Sequence, residues 1–322
     1  MKHYPLKDVK PELLTRIAQG VLNTYILDQL KNINQDKALE NEIKDLQALN
    51  EGNDPQSLNE VRKRRQLSDT LPDEALMPQI FELDSGQVLL AHVCRNEANE
   101  TMIEIFSDLS LDLTKLKAIT PQVCKAFSWC QPKYIDIWAR PGSEVEKQLL
   151  SLPGALACDS FVAAELHQLL LETDTDIRLR PFNLEQDWPW YEQEYNDFLA
   201  KNPKMKSIVP ISEKDEIEAA IKNNLCACAM LGDQPLGMIM AESSQELGYN
   251  GLLVTDIFIA GQYRGLGYAS PMQRLFIQEN INKYTLLLGF INGVNTPSLK
   301  NAFKQGRRLL RQEICIPREV LI

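Results

Sequence analysis

Residues 251–280, "GLLVTDIFIAGQYRGLGYASPMQRLFIQEN", narrow the possible folds more than any other segment. Ten residues rich in Leu, Ile, Val and Phe read as a strand, Gly265 and Gly267 as a turn, and the run from Ser270 as a helix. A strand that turns through glycine into a helix brings several backbone N–H groups to the positive end of that helix. Glycine puts no side chain between the backbone and an approaching anion. Arg264 adds a charge-assisted donor at the same place. Taken alone, a Gly-x-Gly pair fits a tight turn that binds nothing as well as it fits a phosphate cradle. There is no G-x-x-x-x-G-K-[ST] string, which excludes a P-loop. A Rossmann dinucleotide site needs a third glycine, here Ser270, and an early place in its domain, whereas this turn follows antiparallel elements.

The surrounding elements have a readable order. "DIRLRPF" is a strand and "LEQDWPWYEQEYNDFLAKN" a helix, with Pro189 near its start. "SEKDEIEAAIKNN" is a second helix, with Ser212 as N-cap and Asp215 three residues on. "LCACAML", a "GDQP" turn and "LGMIMAES" make a hairpin. After the glycine turn and its helix come a strand "YTLLLGFI", a helix "TPSLKNAFKQGR" capped at Thr296, and a closing strand "LRQEICIP". The first half opens with one amphipathic helix over residues 10–33 and a charged helical stretch to about Arg65. Three strands follow, then a helix "TPQVCKAFSWC", a strand, a helix and a last strand, "DSFVAAELHQLLL". Residues 36–74 are polar, and part of that segment is expected to be mobile. The two halves share an order of elements without a residue-level repeat. The polar stretch in "LETDTDIRLRPF" places the boundary between domains 1–172 and 173–322.

A chain of 322 residues exceeds one typical core, which agrees with two domains. No apolar run approaches the roughly 20 residues needed to span a bilayer, and the N-terminus lacks an uninterrupted apolar stretch. Neither a membrane nor a secretory route is expected. Seven irregularly spaced cysteines suit thiols in a reducing cytoplasm. Cys226 and Cys228 fall on one face of a strand with no second pair nearby, so they read as structural thiols and no metal site is expected. A net charge of −10 argues against nucleic acid as a partner. From Gly251 onward, however, nine Lys/Arg face four Asp/Glu, so +5 sits at the end carrying the glycine turn. That asymmetry suits an anionic ligand as well as it suits a solvated basic face.

The residues Gln262-Tyr263-Arg264-Gly265-Leu266-Gly267 match the Q/R-x-x-G-x-G/A acyl-CoA signature of the GNAT N-acyltransferase superfamily. "DIFIAGQYRG" resembles that family's fourth strand, and "GVNTPSLKNAFKQGR" resembles its later motif, in which an asparagine opens a helix. The resemblance covers roughly residues 176–322. It implies an α/β (α+β) fold with a mixed, mostly antiparallel sheet flanked by helices, and acetyl-CoA as acyl donor. The amides of Leu266, Gly267, Tyr268 and Ala269 would hold the diphosphate, with Gln262, Arg264 and Gly265 completing the loop. The backbone of Ile259 and Gly261 would bond the pantetheine arm, and Asn295 would touch the same arm, although its neighbours also suit it as a plain helix-start residue.

The implied chemistry is direct attack of a primary amine on the thioester, which requires a base. Asp256 is the first candidate and Glu242 the second, and either reads equally well as a surface carboxylate. The place where many members carry a tyrosine acid falls at Ala302, beside Phe303, and neither donates a proton. The three histidines all precede residue 173. Trp188, Trp190, Tyr191 and Tyr195, with Glu185, Asp187, Glu192, Glu194 and Asp197, read either as a surface attracting a cationic amine or, for the aromatics, as core. In the first half the matching connection, "FSDLSLDLTKLKAITPQV", has no glycine, so a GNAT-like domain there would have lost its CoA site. The expected protein is a cytoplasmic acetyltransferase, a monomer or homodimer, with an acyl-CoA-binding sensor or interaction module as the alternative.

Overall fold

A computed structural model describes residues 1–96, 99–169 and 175–322. They form two compact units, one of residues Met1–Ser160 with Leu310–Ile322 and the other of Phe161–Leu309. The boundary read at 172/173 lies outside the described residues.

In the first unit the strands are β1 (Lys2–Pro5), β2 (Gln79–Glu82), β3 (Val88–Arg95), β4 (Thr101–Ser107), β5 (Tyr134–Ala139) and the opening of β6 (Leu156–Glu165), with β12 (Arg308–Pro317) from Leu310 on. Its helices are α1 (Pro11–Leu22), α2 (Gln35–Ala48), α3 (Pro55–Arg65), α4 (Leu113–Ala126) and α5 (Glu144–Leu150). The sheet runs β1-β2-β3-β4-β5-β12. β1 with β2, β2 with β3, β3 with β4 and β5 with β12 pair antiparallel, and β4 pairs with β5 in parallel. Phe81, Ile103, Leu116, Phe127, Ile135 and Ile314 build its core.

The second unit contains the rest of β6, β7 (Ile177–Pro181), α6 (Leu184–Lys201), α7 (Lys214–Lys222), β8 (Cys226–Leu231), β9 (Gln234–Glu246), β10 (Tyr249–Ile259), α8 (Ala269–Asn280), β11 (Leu286–Asn292) and α9 (Thr296–Lys304). Strand order is β6-β11-β10-β9-β8-β7. β7 to β10 are antiparallel neighbours, and β10 runs parallel to β11. The pairing of β2-β3-β4 with parallel β5 in one unit thus matches that of β8-β9-β10 with parallel β11 in the other. The alternation expected of half-buried strands holds less well than their length: β8 and β9 are buried on both faces over Cys226–Ala229 and Leu236–Ala241. α6 turns Asp187, Tyr191 and Tyr195 inward at a four-residue spacing, and α8 does the same with Met272, Phe276 and Ile277.

Several local expectations are corrected. The helix read over 10–33 ends at Leu22. Beyond it Tyr25 and Leu30 are buried, and the Ile26 amide bonds the Leu310 carbonyl, a single bond to β12 in place of the helix's next turn. The charged helical stretch read to about Arg65 is present as two helices, α2 and α3, capped by Asn34 and Asp54. α4 begins at Leu113 because Asp112 accepts from the Lys115 amide, and Pro121 falls inside it. The last strand of the first half ends at Glu165, and residues 170 and 171 of its reading lie outside the described residues. α7 is capped by Glu213 with Glu216 in a reciprocal box, not by Ser212. Asn295, not Thr296, caps α9. The expectation of thiols throughout also fails, because Cys158 and Cys315 form a disulfide across 157 residues. Cys226 and Cys228 remain free and buried, as read.

Candidate functional site

β10 and β11 pair only from Gly251–Leu253 to Leu286–Leu288, although β10 continues to Ile259 and β11 to Asn292. A register shift between Val254 and Asp256 in the β9–β10 ladder marks the place where β10 changes course. Beyond it the two strands line a cavity of about 1610 Å³. Val254–Ile259 form one wall and Phe290–Asn292 another, with Asn295 and the glycine loop also on the lining. This volume exceeds the roughly 300–1,000 Å³ of ordinary small-ligand pockets, so the space suits an elongated ligand. Parting two parallel strands also leaves backbone N–H and C=O groups without ladder partners, and these are ready to bond an extended chain.

At one end of the cavity the chain makes a short 3-10 turn over Gly261–Tyr263, passes Gly265 and Gly267, and enters α8. Both glycines have positive φ, 76° and 88°, and a Cβ at either would meet nothing within 4 Å. The positive φ explains the need for glycine, and the open space shows that packing does not. Tyr268, the N-cap of α8, supplies no side-chain cap. Among the described residues, the amides of Gly265, Gly267, Tyr268, Ala269 and Ser270 have no acceptor. A helix N-terminus with exposed, unfilled donors is an anion site in waiting. The first unit provides a contrast in the same material. There Asp112 caps α4 with its own carboxylate, and Asp108 takes the Val88 amide and pairs with Arg16.

Four of the predicted contacts already have partners, among them the Leu266 amide, which donates to the Tyr263 carbonyl at 3.4 Å. The Gly261 amide donates to Glu194 Oε2 at 2.8 Å, and Arg264 Nε donates to the Ile259 carbonyl at 2.7 Å. The Arg264 guanidinium lies 4.1 Å from the Phe198 ring centroid and 4.9 Å from that of Phe258, and burial draws its pKa down. Asn295 caps α9 by accepting from the Ser298 amide at 3.4 Å, which leaves its side-chain NH2 unused. Gln262 is exposed, Leu266 is 65% exposed, and Tyr263 stacks edge-on to Tyr268 at the cavity wall.

Asp256 stands half-buried on the cavity lining. Its Oδ2 accepts from the Tyr191 hydroxyl at 2.7 Å and from Ser212 Oγ at 3.3 Å. Burial raises its pKa from 3.8 to about 6, against the opposing pull of those two hydrogen bonds. A carboxyl with a pKa near 6 exchanges protons readily at neutral pH, the property a general base needs. Glu242 also lines the cavity, exposed, opposite Leu253 in the β9–β10 ladder. Ala302 is fully buried and Phe303 is 46% exposed, so that stretch of α9 supplies no proton donor.

The aromatic and acidic residues of α6 divide by role. Tyr191 and Tyr195 are core, stacked around Phe258, and Trp188 and Trp190 pack half-buried against the same cluster. Asp187 is buried in a two-pronged bond to Arg180, at 2.6 and 2.7 Å. Glu194 holds the glycine loop, and Glu185, Glu192 and Asp197 remain exposed. Sequence reasoning missed Ser212 and Tyr191 as partners of Asp256, Glu194 as an anchor of the loop, and Arg307 on the cavity lining. Only Tyr191 carried a signal, the four-residue spacing with Asp187 and Tyr195 that makes one face of α6. Outside this cavity, Cys158, Glu313 and Cys315 bring three metal-capable atoms together in the first unit, two of them in the disulfide.

No protein-family model and no curated protein matches the sequence. Among solved structures, a GNAT-family acetyltransferase from Colwellia psychrerythraea matches with a TM-score of 0.55 at 8% identity, covering 98% of this chain and 99% of that one. A GCN5-related N-acetyltransferase from Sphaerobacter thermophilus gives a TM-score of 0.49 at 14% identity, covering 83% and 88%. Another from Kribbella flavida gives 0.42 at 12% identity, covering 72% and 86%. At such identities the likeness is one of fold, and the Colwellia protein carries it. The chain has the mixed α/β GNAT fold.

Proposed function

We propose that the second unit binds acetyl-CoA in the cleft between β10 and β11 and transfers its acetyl group to a primary amine. The observation that carries this reading is the uncapped start of α8 behind Gly265 and Gly267, at one end of a cavity lined by Asp256. The diphosphate would take the amides of Leu266, Gly267, Tyr268 and Ala269, with Gln262, Arg264 and Gly265 around it. The pantetheine would lie along Ile259 and Gly261, with the unused NH2 of Asn295 beside it. Occupation would release Arg264 from the Ile259 carbonyl, exchanging a neutral acceptor for an anionic one. Asp256, ionised, would remove the ammonium proton, directly or through water, and the free amine would attack the thioester carbon. Glu242 is the second candidate for that step. The thiolate would leave without a tyrosine acid, since Ala302 and Phe303 have none to give.

That same lack of an acid supports one other reading, an acyl-CoA-binding module without turnover. The two separate in one assay: free thiol released from acetyl-CoA across a panel of amines, with mass detection of product. Acetylated amine supports transfer, and tight CoA binding with no product on any amine supports the module. We further propose that the first unit is a degenerate GNAT-like domain. Its loop carries Asp108 and Asp112 in place of glycines, and Asp112 occupies the helix N-terminus that an anion would need. A metal takes no part in the proposed chemistry. The proposed partners are acetyl-CoA and an amine, not nucleic acid or a membrane, and among the described residues no helix is long and apolar enough to cross one.

A further inference from the structure

Arg307 is 3% exposed and lines the cavity of the proposed site. A guanidinium carries five N–H donors. One of them, on Nη2, donates to Gln273 Oε1 at 2.9 Å. Nε is buried with no acceptor, and so is Nε2 of Gln273, itself fully buried. Among the described residues no carboxylate pairs with Arg307. Burial lowers its pKa only to about 10, so it stays charged at neutral pH. A buried cation with most of its donors unfilled is costly, and a counter-anion relieves that cost.

The position of this charge is specific. A Cβ on Gly289 would lie 3.3 Å from Arg307 Nη1 and 3.6 Å from the Val254 carbonyl. Val254 and Gly289 directly follow the last β10–β11 pair, Leu253 with Leu288. Arg307 therefore stands where the strands part, on the cavity wall beside Gly289. Along β10 the glycine loop lies past the five residue steps from Val254 to Ile259, about 17 Å of extended chain, while Gln273, the partner of Arg307, sits one turn inside α8. The diphosphate has its own donors in the proposed site, the amides of residues 266–269, and Arg307, on the wall where the strands part, is a separate one.

We propose that Arg307 is a carboxylate-recognition residue, and that one of the two reacting partners presents a carboxylate to it. This rests on the reading of the cleft as a CoA site. Two sources share that chemistry: a dicarboxylic acyl chain on the thioester, or an acceptor that is an amino acid. Arginine's planar fork suits a carboxylate in either case. Gln273 orients the fork, and the missing side chain at Gly289 admits it.

The test is calorimetric titration of the wild-type protein and of Arg307→Met. One arm compares succinyl-CoA with butyryl-CoA, which differ by a carboxylate against a methyl group. The other compares alanine with ethylamine in the presence of saturating CoA. Wild type should prefer the carboxylate ligand at least tenfold in one arm, and that arm names the source. Arg307→Met should erase the preference while keeping CoA affinity within twofold, and Arg307→Lys should retain part of it. No preference in either wild-type arm overturns the proposal, whatever the variant does. A preference that persists in a folded Arg307→Met overturns it too. Failure of CoA itself to bind instead overturns the proposed function on which this residue's role depends.

Discussion

Replacing Asp256 with Asn should make the protein more stable and less active, and the size of both effects follows from the carboxylate's surroundings. In the unfolded chain Asp256 would titrate at its ordinary value of 3.8, and in the fold burial raises that to about 6. A group whose folded pKa is raised binds its proton more tightly when folded. Stability therefore falls as pH rises from about 4 to about 6 and stays lower above that. Two units at about 1.4 kcal/mol each give about 3 kcal/mol at pH 7.5. Asn keeps an oxygen for the Tyr191 hydroxyl and Ser212 Oγ but places an NH2 near the Ile257 amide, which the carboxylate accepts. Losing that bond costs about 1 kcal/mol, which leaves a net gain of about 2 kcal/mol. For a unit of this size that is a rise in melting temperature of roughly 4–8 °C. The gain should shrink as pH falls through 6 and give way by pH 4 to a small deficit, because Asp256 is then protonated in the fold and nearly half protonated in the unfolded chain, while the lost Ile257 bond still costs about 1 kcal/mol. Differential scanning calorimetry of both proteins from pH 4 to 8 reads this directly. Turnover should meanwhile drop by about 10² to 10⁴. A variant that melts below wild type at pH 7.5, or at a constant offset from it across pH, would refute the assignment of a strained, half-buried carboxylate.

Other outcomes follow from the same geometry. Wild-type kcat should rise with pH through about 6 as Asp256 ionises. Tyr191→Phe, which removes a hydrogen bond favouring the carboxylate, should move that limb to higher pH. An unmoved limb in a pH–rate profile would assign the titration to another group. Gly267→Glu puts a carboxylate on the donors of the glycine loop. It should weaken CoA binding by at least about 100-fold in a titration while lowering the melting temperature by only a few degrees, since a side chain there meets nothing and the cost is the backbone strain of a positive φ, about 1–2 kcal/mol. Retained affinity would mean that the anion site lies elsewhere.

Much of the site was legible because its determinants are local. A ten-residue apolar run, two glycines and a helix-spaced run specify the loop by backbone conformation alone, and the structure gives Gly265 and Gly267 the positive φ that this implies. Asp256 followed from the family resemblance, as an acidic residue three positions before Ile259 on the fourth strand. What escaped was non-local. Ser212 reads as a cap because it precedes a helix, yet Glu213 makes a reciprocal box with Glu216, and this frees the Ser212 hydroxyl for Asp256, 44 residues away. Arg307 sits beside Arg308 and close to Arg311, a pattern that reads as a solvated basic face, and only the fold buries it. The Cys158–Cys315 disulfide joins residues that no spacing rule connects. The membership of the last strand also depends on pairing, because nothing in "LRQEICIP" names a partner, and from Gln312 to Pro317 that partner is β5.

The number of CoA molecules that one chain binds tests the proposed site most directly. Isothermal titration of the full-length protein with CoA should give one site per chain, abolished by Gly267→Glu. At 100 times the dissociation constant the ligand should add about 2.7 kcal/mol of stability. Absence of heat and of any thermal shift at millimolar CoA, or binding that survives Gly267→Glu, would contradict it.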